Sequence, residues 1–159
     1  MCIRDRYNLP SEQDKISHDK LAQAIQEIKQ VPGRLEKINW QNRTIYIDYA
    51  HTPDALAKVL ADISKTKKQS LWCLFGCGGK RDPGKRFMMG YTASLYADRL
   101  ILTNDNPRTE DPELIIAAIK SGIDQAKTGQ AKHDPKQKVP LKQVSVSYTH
   151  LTLPTIYSV

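Results

Sequence analysis

The chain has 159 residues, with 24 Lys and Arg against 17 Asp and Glu, which gives a formal net charge of +7 and a pI of about 9.3. This length supports one domain with a proper core, together with a piece of a neighbouring domain, and excludes two complete domains. No apolar run approaches membrane-spanning length, and the dispersed basic residues lack interleaved aromatics, so solvated lysines or a small anionic substrate are expected rather than a membrane or nucleic acid.

The two ends of the chain read as one oligonucleotide translated from opposite strands. Residues 1–5 (MCIRD) can be written ATG TGT ATA AGA GAC, and the reverse complement of that string encodes VSYTH, which stands at residues 146–150. We therefore predict that residues 1–7 and 146–159 derive from a sequencing adapter, and we exclude them from the fold prediction. About residues 8–145 are expected to be the natural segment, cut from a longer gene.

The remaining sequence alternates between strand and helix patterns. Runs rich in apolar and β-branched residues predict strands, and apolar residues spaced three or four positions apart predict helices. In chain order these are helix 18–29, strand 44–49, helix 53–64, strand 70–75, helix 85–96, strand 99–103 and helix 112–123. Beyond Ser121 the polar sequence predicts loop or a poorly defined helix. The alternation indicates a Rossmann-like α/β domain, with a mostly parallel sheet and helices on both faces.

Polar loops follow each predicted strand: DYAHTPD, GCGGKRDPGKR and NDNPR. Ligands of open parallel sheets gather at the carboxyl ends of the strands, so these loops are expected to form one site. The second loop imitates a phosphate-binding GxxxxGK motif at Gly79, Gly84 and Lys85. However, Arg86 replaces the Ser or Thr whose hydroxyl would ligate Mg²⁺, which argues against a nucleotide-triphosphate site.

Two side chains of the first loop are candidate ligand contacts. Asp48 either accepts hydrogen bonds from ribose hydroxyls or caps the turn or the next helix. His51 either contacts a nucleotide or carries a proton, or is simply structural. Cys73 and Cys77 have no nearby His or Cys, so no metal site is predicted, and Cys73 is expected in the core.

The second and third loops carry side chains that suit the far end of a zwitterion. Arg81 either grips a carboxylate or phosphate or pairs with Asp82 or another loop acid. Arg108 can pair with a carboxylate, while Asn106 can accept from an ammonium or donate to the carboxylate. Asp105 either orients Arg108 or serves as a cap or turn residue.

Four stretches, VPGRLEKI, IYIDYAHTPDAL, LWCLFGCGGKRDPGKRFMMG and LTNDNPRTEDPELII, together resemble the C-terminal domain of the Mur ligase family. The form resembled adds meso-diaminopimelate to UDP-MurNAc-L-Ala-D-Glu. The resemblance covers about residues 18–123, in order and at family-like spacing. It implies that residues 8–32 are the tail of a central ATPase domain and that residues 33–145 are an incomplete C-terminal domain.

The resemblance also implies roles for individual residues. No catalytic residue is expected in this segment. The implied ATP contacts are Arg34, Asp48, Tyr49 and His51, and the implied meso-diaminopimelate contacts are Arg81, Asn106 and Arg108. Three residues depart from the family pattern: Lys80 stands where an acid is expected, Pro83 where a basic or polar residue is expected, and Asn104 where many relatives carry an acid or serine. Lys80 places additional positive charge beside Arg81.

The activity implied is an ATP-dependent amide-forming ligation through an acyl phosphate, in peptidoglycan precursor synthesis in the cytoplasm. ATP and Mg²⁺ would be held mainly by the central domain, and the full-length enzyme is expected to be a monomer. The segment alone is predicted not to turn over ATP. The alternatives are a lysine-adding relative, a stand-alone module that binds a zwitterion, and an inert fragment, since strands expected after Val139 are missing from the sequence pattern or replaced by linker.

Overall fold

The computed structural model describes residues 17–128, 140–150 and 155–158, with residues 148–150 and 155–158 as backbone only. The chain divides into two compact units between Gln30 and Val31. The predicted ends at residues 1–7, together with residues 8–16, lie outside the described part. None of the helices described there is long and apolar enough to cross a membrane.

The first unit contains helix α1, His18–Glu27, which confirms the predicted helix with an end two residues earlier. Ser17 caps it, because its side chain accepts a hydrogen bond from the Lys20 N–H at 3.3 Å. None of its residues is buried, and Leu21 and Ile25 on its apolar face are 49% and 59% exposed.

The second unit is built on a six-stranded sheet. Its strands are β1 (Glu36–Trp40), β2 (Arg43–Ile47), β3 (Leu71–Phe75), β4 (Arg99–Asn104), β5 (Gln143–His150) and β6 (Thr155–Ser158), in the spatial order β1-β2-β6-β3-β4-β5. Strands β3, β4 and β5 pair in parallel, and β6 pairs antiparallel with both β2 and β3. Strands β2 to β5 therefore share one direction, which confirms the predicted α/β class with a mostly parallel sheet.

Three strands were not predicted. Strand β1 was not recognised because its sequence, EKINW, carries charged residues and is largely exposed. Such a sequence is typical of an edge strand, and β1 pairs only with β2. The sequence pattern showed no strand after Val139, whereas the structure forms β5 and β6 there. Most of these two strands lies within residues 146–159, so the adapter origin of that end stays a prediction. In β5 the alternating sequence QVSVSYTH supplies the period-two pattern that a strand requires.

Three helices connect the strands: α2 (Pro53–Thr66), α3 (Pro83–Tyr96) and α4 (Pro112–Thr128). Helix α2 packs on α3 and α3 on α4, so these helices lie side by side on one face of the sheet. On β3, Leu71, Cys73 and Phe75 are buried, whereas Trp72 and Leu74 are only half-buried. The expectation of helices on both faces is therefore not met among the described residues.

Helix α4 continues past Ser121, through residues that the sequence predicted to be loop or poorly defined helix. Ile123 and Ala126 are buried and extend the apolar face set by Ile115, Ile116 and Ile119. The polar residues between them lie on the exposed side of the helix, so the prediction of loop or poorly defined helix is wrong up to Thr128. Helix α3 begins at Pro83, two residues before its predicted start, because Asp82 caps it and proline suits a first helical position.

Candidate functional site

Because β2, β3 and β4 share a direction, the three polar loops that follow them lie at one edge of the sheet. Strand β6 separates the loop after β2 from the other two. The site therefore consists of two clusters, one after β2 and one formed by the loops after β3 and β4.

In the first cluster, the Asp48 carboxylate joins two backbone segments. It accepts hydrogen bonds from the N–H groups of Leu35 and Ala50, each at 2.8 Å. These bonds bear out the turn-capping alternative, while Thr52 caps α2. Each carboxylate oxygen retains a lone pair, so a contact with a ribose hydroxyl stays a prediction.

Arg34, Tyr49 and His51 are brought together beside this carboxylate. The guanidinium carbon of Arg34 lies 5.2 Å from the centroid of the Tyr49 ring, and the rings of Tyr49 and His51 are 5.1 Å apart. His51 Nδ1 lies 3.1 Å from the Tyr49 carbonyl, so a protonated Nδ1 donates there and leaves Nε2 free to accept. Tyr49 is 52% exposed. The exposed Tyr49 ring with the Arg34 cation beside it suits stacking with a nucleotide base.

In the second cluster, two hydrogen bonds to backbone carbonyls join the loop after β3 to the loop after β4, and we call this connection the clasp. The Gly79 N–H donates to the Asn106 carbonyl at 3.0 Å, and Arg108 Nη1 donates to the Gly79 carbonyl at 2.5 Å. A side chain at Gly79 is impossible here, since its Cβ would lie 1.9 Å from the Pro107 carbonyl oxygen. The Gly79 amide is thus engaged within the protein, as expected if GxxxxGK is not a phosphate loop.

Two acids of the second cluster, Asp82 and Asp111, accept hydrogen bonds from backbone N–H groups. Asp82 accepts from the Gly84 N–H at 3.0 Å and Asp111 from the Glu113 N–H at 2.9 Å. Arg81 is exposed and forms no hydrogen bond or ion pair with any residue that the structure describes, so its pairing with Asp82 is not seen. Arg108 is exposed as well, and its other N–H groups suit an anionic partner.

Asp105 follows β4 directly and lies against the loop after β3. A Cβ placed on Gly76 would lie 2.9 Å from the Asp105 backbone nitrogen, so the two segments are in close contact. The bond of Arg108 that is seen goes to the Gly79 carbonyl. Orientation of Arg108 by Asp105 stays a prediction.

One ion pair in this cluster, between a buried arginine and a half-buried glutamate, was not foreseen. Arg86 is 5% exposed, and its Nη1 and Nη2 lie 2.8 Å and 2.9 Å from the two carboxylate oxygens of Glu110. The sequence signal was the spacing of Arg86 with Met89, Gly90 and Ala93, which places it on the buried face of α3. The spacing could not identify its partner 24 residues away.

The two cysteines are poor nucleophiles. Burial raises the pKa of Cys73 to about 12 and that of Cys77 to about 11, and the nearby cations Lys85 and Arg86 offset only part of the effect on Cys77. Within the described ranges, no group of three or more His, Cys, Asp or Glu residues could hold a metal ion.

The sequence profile of the Mur ligase glutamate ligase domain matches residues 33–145. The chain belongs to the Mur ligase family. The UDP-N-acetylmuramoyl-L-alanyl-D-glutamate–2,6-diaminopimelate ligases of Rickettsia conorii and Coxiella burnetii are 49% and 46% identical to it over 110 residues. These matches cover 68% and 69% of this chain and 22% of each relative, so the chain spans about a fifth of those proteins.

Solved structures give the same family and fold. A structure of a ligase with that same name is 37% identical, with a TM-score of 0.57, and the match covers 85% of this chain and 30% of the other. A folylpolyglutamate synthase from Thermotoga maritima is 15% identical, with a TM-score of 0.51 over 84% of this chain and 31% of the other. The second likeness concerns the fold alone.

Proposed function

We propose that this chain is the amino-acid-binding part of an ATP-dependent ligase that adds meso-diaminopimelate to UDP-MurNAc-L-Ala-D-Glu. The observation that carries the proposal is the clasp between the loops after β3 and β4, where Arg81 and Arg108 both lie beside Gly78. The acids Asp82 and Asp111 of these loops accept from backbone N–H groups. The 45–49% identity to ligases named for this amino acid supports the same substrate.

The chemistry of the amino acid explains why cations are needed at this edge. Diaminopimelate differs from lysine by one carboxylate, and a guanidinium binds a carboxylate through two parallel hydrogen bonds. In our account Arg108 pairs with that distal carboxylate, Asn106 bonds to its ammonium or carboxylate, and Arg81 supplies a second positive charge. Lysine leaves these groups without the anion, so it is rejected.

The cluster after β2 is proposed to cover ATP. The exposed Tyr49 ring, flanked by Arg34 and His51, supports base stacking, and Asp48 is held in place to accept from a ribose hydroxyl. The described residues contain no group of three or more His, Cys, Asp or Glu residues that could hold a metal ion, and we derive no step through a metal in this segment.

In the proposed reaction, the terminal phosphoryl group of ATP passes to the glutamate carboxylate and leaves ADP. The diaminopimelate amine then attacks the acyl phosphate, and the tetrahedral intermediate expels phosphate as the amide forms. This chain contributes by holding the amino acid with its amine aimed at the acyl phosphate and by excluding water from it. No residue described here is assigned a proton transfer.

A chimera tests this function. The matched segment of the Rickettsia conorii ligase is replaced by the corresponding residues of this chain, and phosphate release is measured with ATP, Mg²⁺ and the UDP-MurNAc dipeptide. We expect release that depends on meso-diaminopimelate and is at least about 100-fold weaker with L-lysine. A folded chimera that prefers lysine, or that uses neither amino acid, contradicts the proposal.

The unmodified chain gives a second test. We expect no magnesium-dependent ATP turnover when it is mixed with both substrates, and turnover would overturn its assignment as a non-catalytic segment. Calorimetric binding of meso-diaminopimelate by this chain, combined with an inactive chimera, would instead identify a stand-alone binding module. Failure to unfold cooperatively in urea would identify an inert fragment.

A further inference from the structure

Two residues of the clasped loops hold an unfavourable backbone conformation. Lys80 has φ of 49° and Arg108 has φ of 55°, and both carry side chains that disfavour the left-handed region. Such conformations persist only where surrounding contacts fix them, and they cluster at ligand sites. Some part of the structure must therefore hold both loops in place.

The Arg86–Glu110 ion pair contacts both loops. Besides its two bonds to Arg86, the Glu110 carboxylate accepts a hydrogen bond from the Lys80 N–H. The Glu110 N–H donates to the Pro107 carbonyl at 3.0 Å, next to Arg108. Arg86 Nη2 also lies 3.4 Å from the Gly78 carbonyl. One carboxylate and one guanidinium thus connect α3 to both loops of the second cluster.

We propose that Arg86 and Glu110 are positioning residues for the amino-acid site, which hold the loops of Lys80 and Arg108 in the conformation that presents Arg81 and Arg108 to the substrate. The link to the substrate rests on the proposed function, whereas the positioning of the loops does not.

Arg86 and Glu110 depend on each other for their hydrogen bonds and charge compensation. Arg86 Nε has no hydrogen-bond partner among the described residues, so Glu110 provides the main compensation for the buried guanidinium. Hydrogen bonds from Arg86 and from the Lys80 backbone lower the pKa of Glu110, which keeps it ionised near neutral pH. Removing either partner leaves the other unpaired and releases both loops.

Amide hydrogen exchange on the full 159-residue chain tests the positioning without a ligand. In Glu110→Gln, we expect exchange at the Gly79 and Lys80 amides to accelerate about tenfold or more, while the Leu102 and Ile119 amides keep their rates. The control is Glu113→Gln, an exposed acid three residues away, which should leave the Gly79 and Lys80 amides unchanged. Unchanged exchange at these two amides in Glu110→Gln would overturn the proposal, as would equal acceleration at the core amides.

Arg86→Lys provides the second variant, because it keeps the charge but removes the two-pronged geometry. It should accelerate exchange at the same two amides. Normal exchange in Arg86→Lys would show that charge alone suffices and would contradict positioning by the paired hydrogen bonds.

The link to the substrate is tested in the chimera. We expect Glu110→Gln to raise the KM for meso-diaminopimelate about tenfold and to leave the KM for ATP unchanged. If exchange changes but the KM for the amino acid does not, the substrate link fails. If the unsubstituted chimera is inactive, the proposed function fails, and the exchange experiment still decides whether the pair positions the loops.

Discussion

Asp98 is a nearly buried carboxylate just before β4, at the opposite end of the strand from the site. Its Oδ2 accepts hydrogen bonds from Lys67 Nζ at 2.6 Å and from the Leu71 N–H at 2.7 Å. Burial works to raise the pKa of Asp98, but the hydrogen bonds from Lys67 and Leu71 outweigh it and hold the pKa below its ordinary value. Asp98 therefore joins the end of α2, the start of β3 and the start of β4 in its ionised form.

Replacing Asp98 by Asn should make the free energy of unfolding less dependent on pH in the acid range. The contribution of Asp98 is fully present above the unfolded pKa of about 3.9 and is lost as pH falls through the lower folded pKa. We expect Asp98→Asn to lower the free energy of unfolding by about 1–3 kcal/mol at pH 7, and the difference from wild type to shrink below about pH 4.

Urea unfolding at pH 7 and at pH 3 measures this difference. Asp62→Asn serves as the control, because the side chain of Asp62, which pairs with Lys65, is 69% exposed. This change should leave the free energy of unfolding nearly unchanged at both pH values. A difference for Asp98→Asn that stays constant between the two pH values would contradict an ionised, hydrogen-bonded carboxylate.

For individual residues, the sequence indicated which side chains belong to the site better than it indicated which side chains pair with each other. The resemblance implied that Arg34, Tyr49 and His51 contact one ligand, and in the structure the three side chains lie close together. Arg86 and Glu110 are 24 residues apart on different elements, so their pairing depends on how α3 packs against the loop before α4. Periodicity along one helix carries no information of that kind.

Helices α3 and α4 approach each other closely because each provides a glycine at their contact. A Cβ on Gly90 would lie 2.1 Å from the Ile119 carbonyl oxygen, and a Cβ on Gly122 would lie 2.0 Å from the Phe87 carbonyl oxygen. Since α3 and α4 follow β3 and β4, this contact also fixes the spacing of the helices behind the clasped loops.

Adding one methyl group at this contact should separate the helices. We expect Gly90→Ala to lower the free energy of unfolding by about 2–3 kcal/mol, since backbone atoms cannot yield as a flexible side chain can. The matched control is Gly84→Ala in the first turn of α3, where the new Cβ would lie 3.4 Å from Asp82 Oδ1. That change should be neutral or slightly stabilising in urea unfolding. Equal effects of the two substitutions would refute the close-packing account.

The elements were predictable where their own side chains set the pattern. Strands β2, β3 and β4 and all four described helices were recognised, because apolar residues recur in their sequences at the expected spacing. Strand β1 was missed because its backbone pairing with β2, and not an apolar sequence pattern, makes it a strand. The packing of the helices on one face was also missed. Trp72 and Leu74 are apolar although they are only half-buried, so the sequence of β3 is that of a strand covered on both faces.

About two thirds of the chain matches about a fifth of the length of the ligases it resembles. Its two clusters lie at one edge of one sheet, separated by β6. In the function we propose, one edge of the sheet therefore serves both the nucleotide and the amino acid. We propose that this edge recognises the distal carboxylate of meso-diaminopimelate through Arg108.

The most direct measurement is kcat/KM of the chimera for meso-diaminopimelate and for L-lysine, before and after Arg108→Ala. A charge-assisted hydrogen bond contributes about 1.5–3 kcal/mol, so kcat/KM for meso-diaminopimelate should fall about 10- to 150-fold, while the value for lysine changes little. Arg43→Ala, at an exposed arginine at the start of β2, should leave both values unchanged. If Arg108→Ala affects the two amino acids equally, or neither of them, Arg108 does not recognise the distal carboxylate and the account fails.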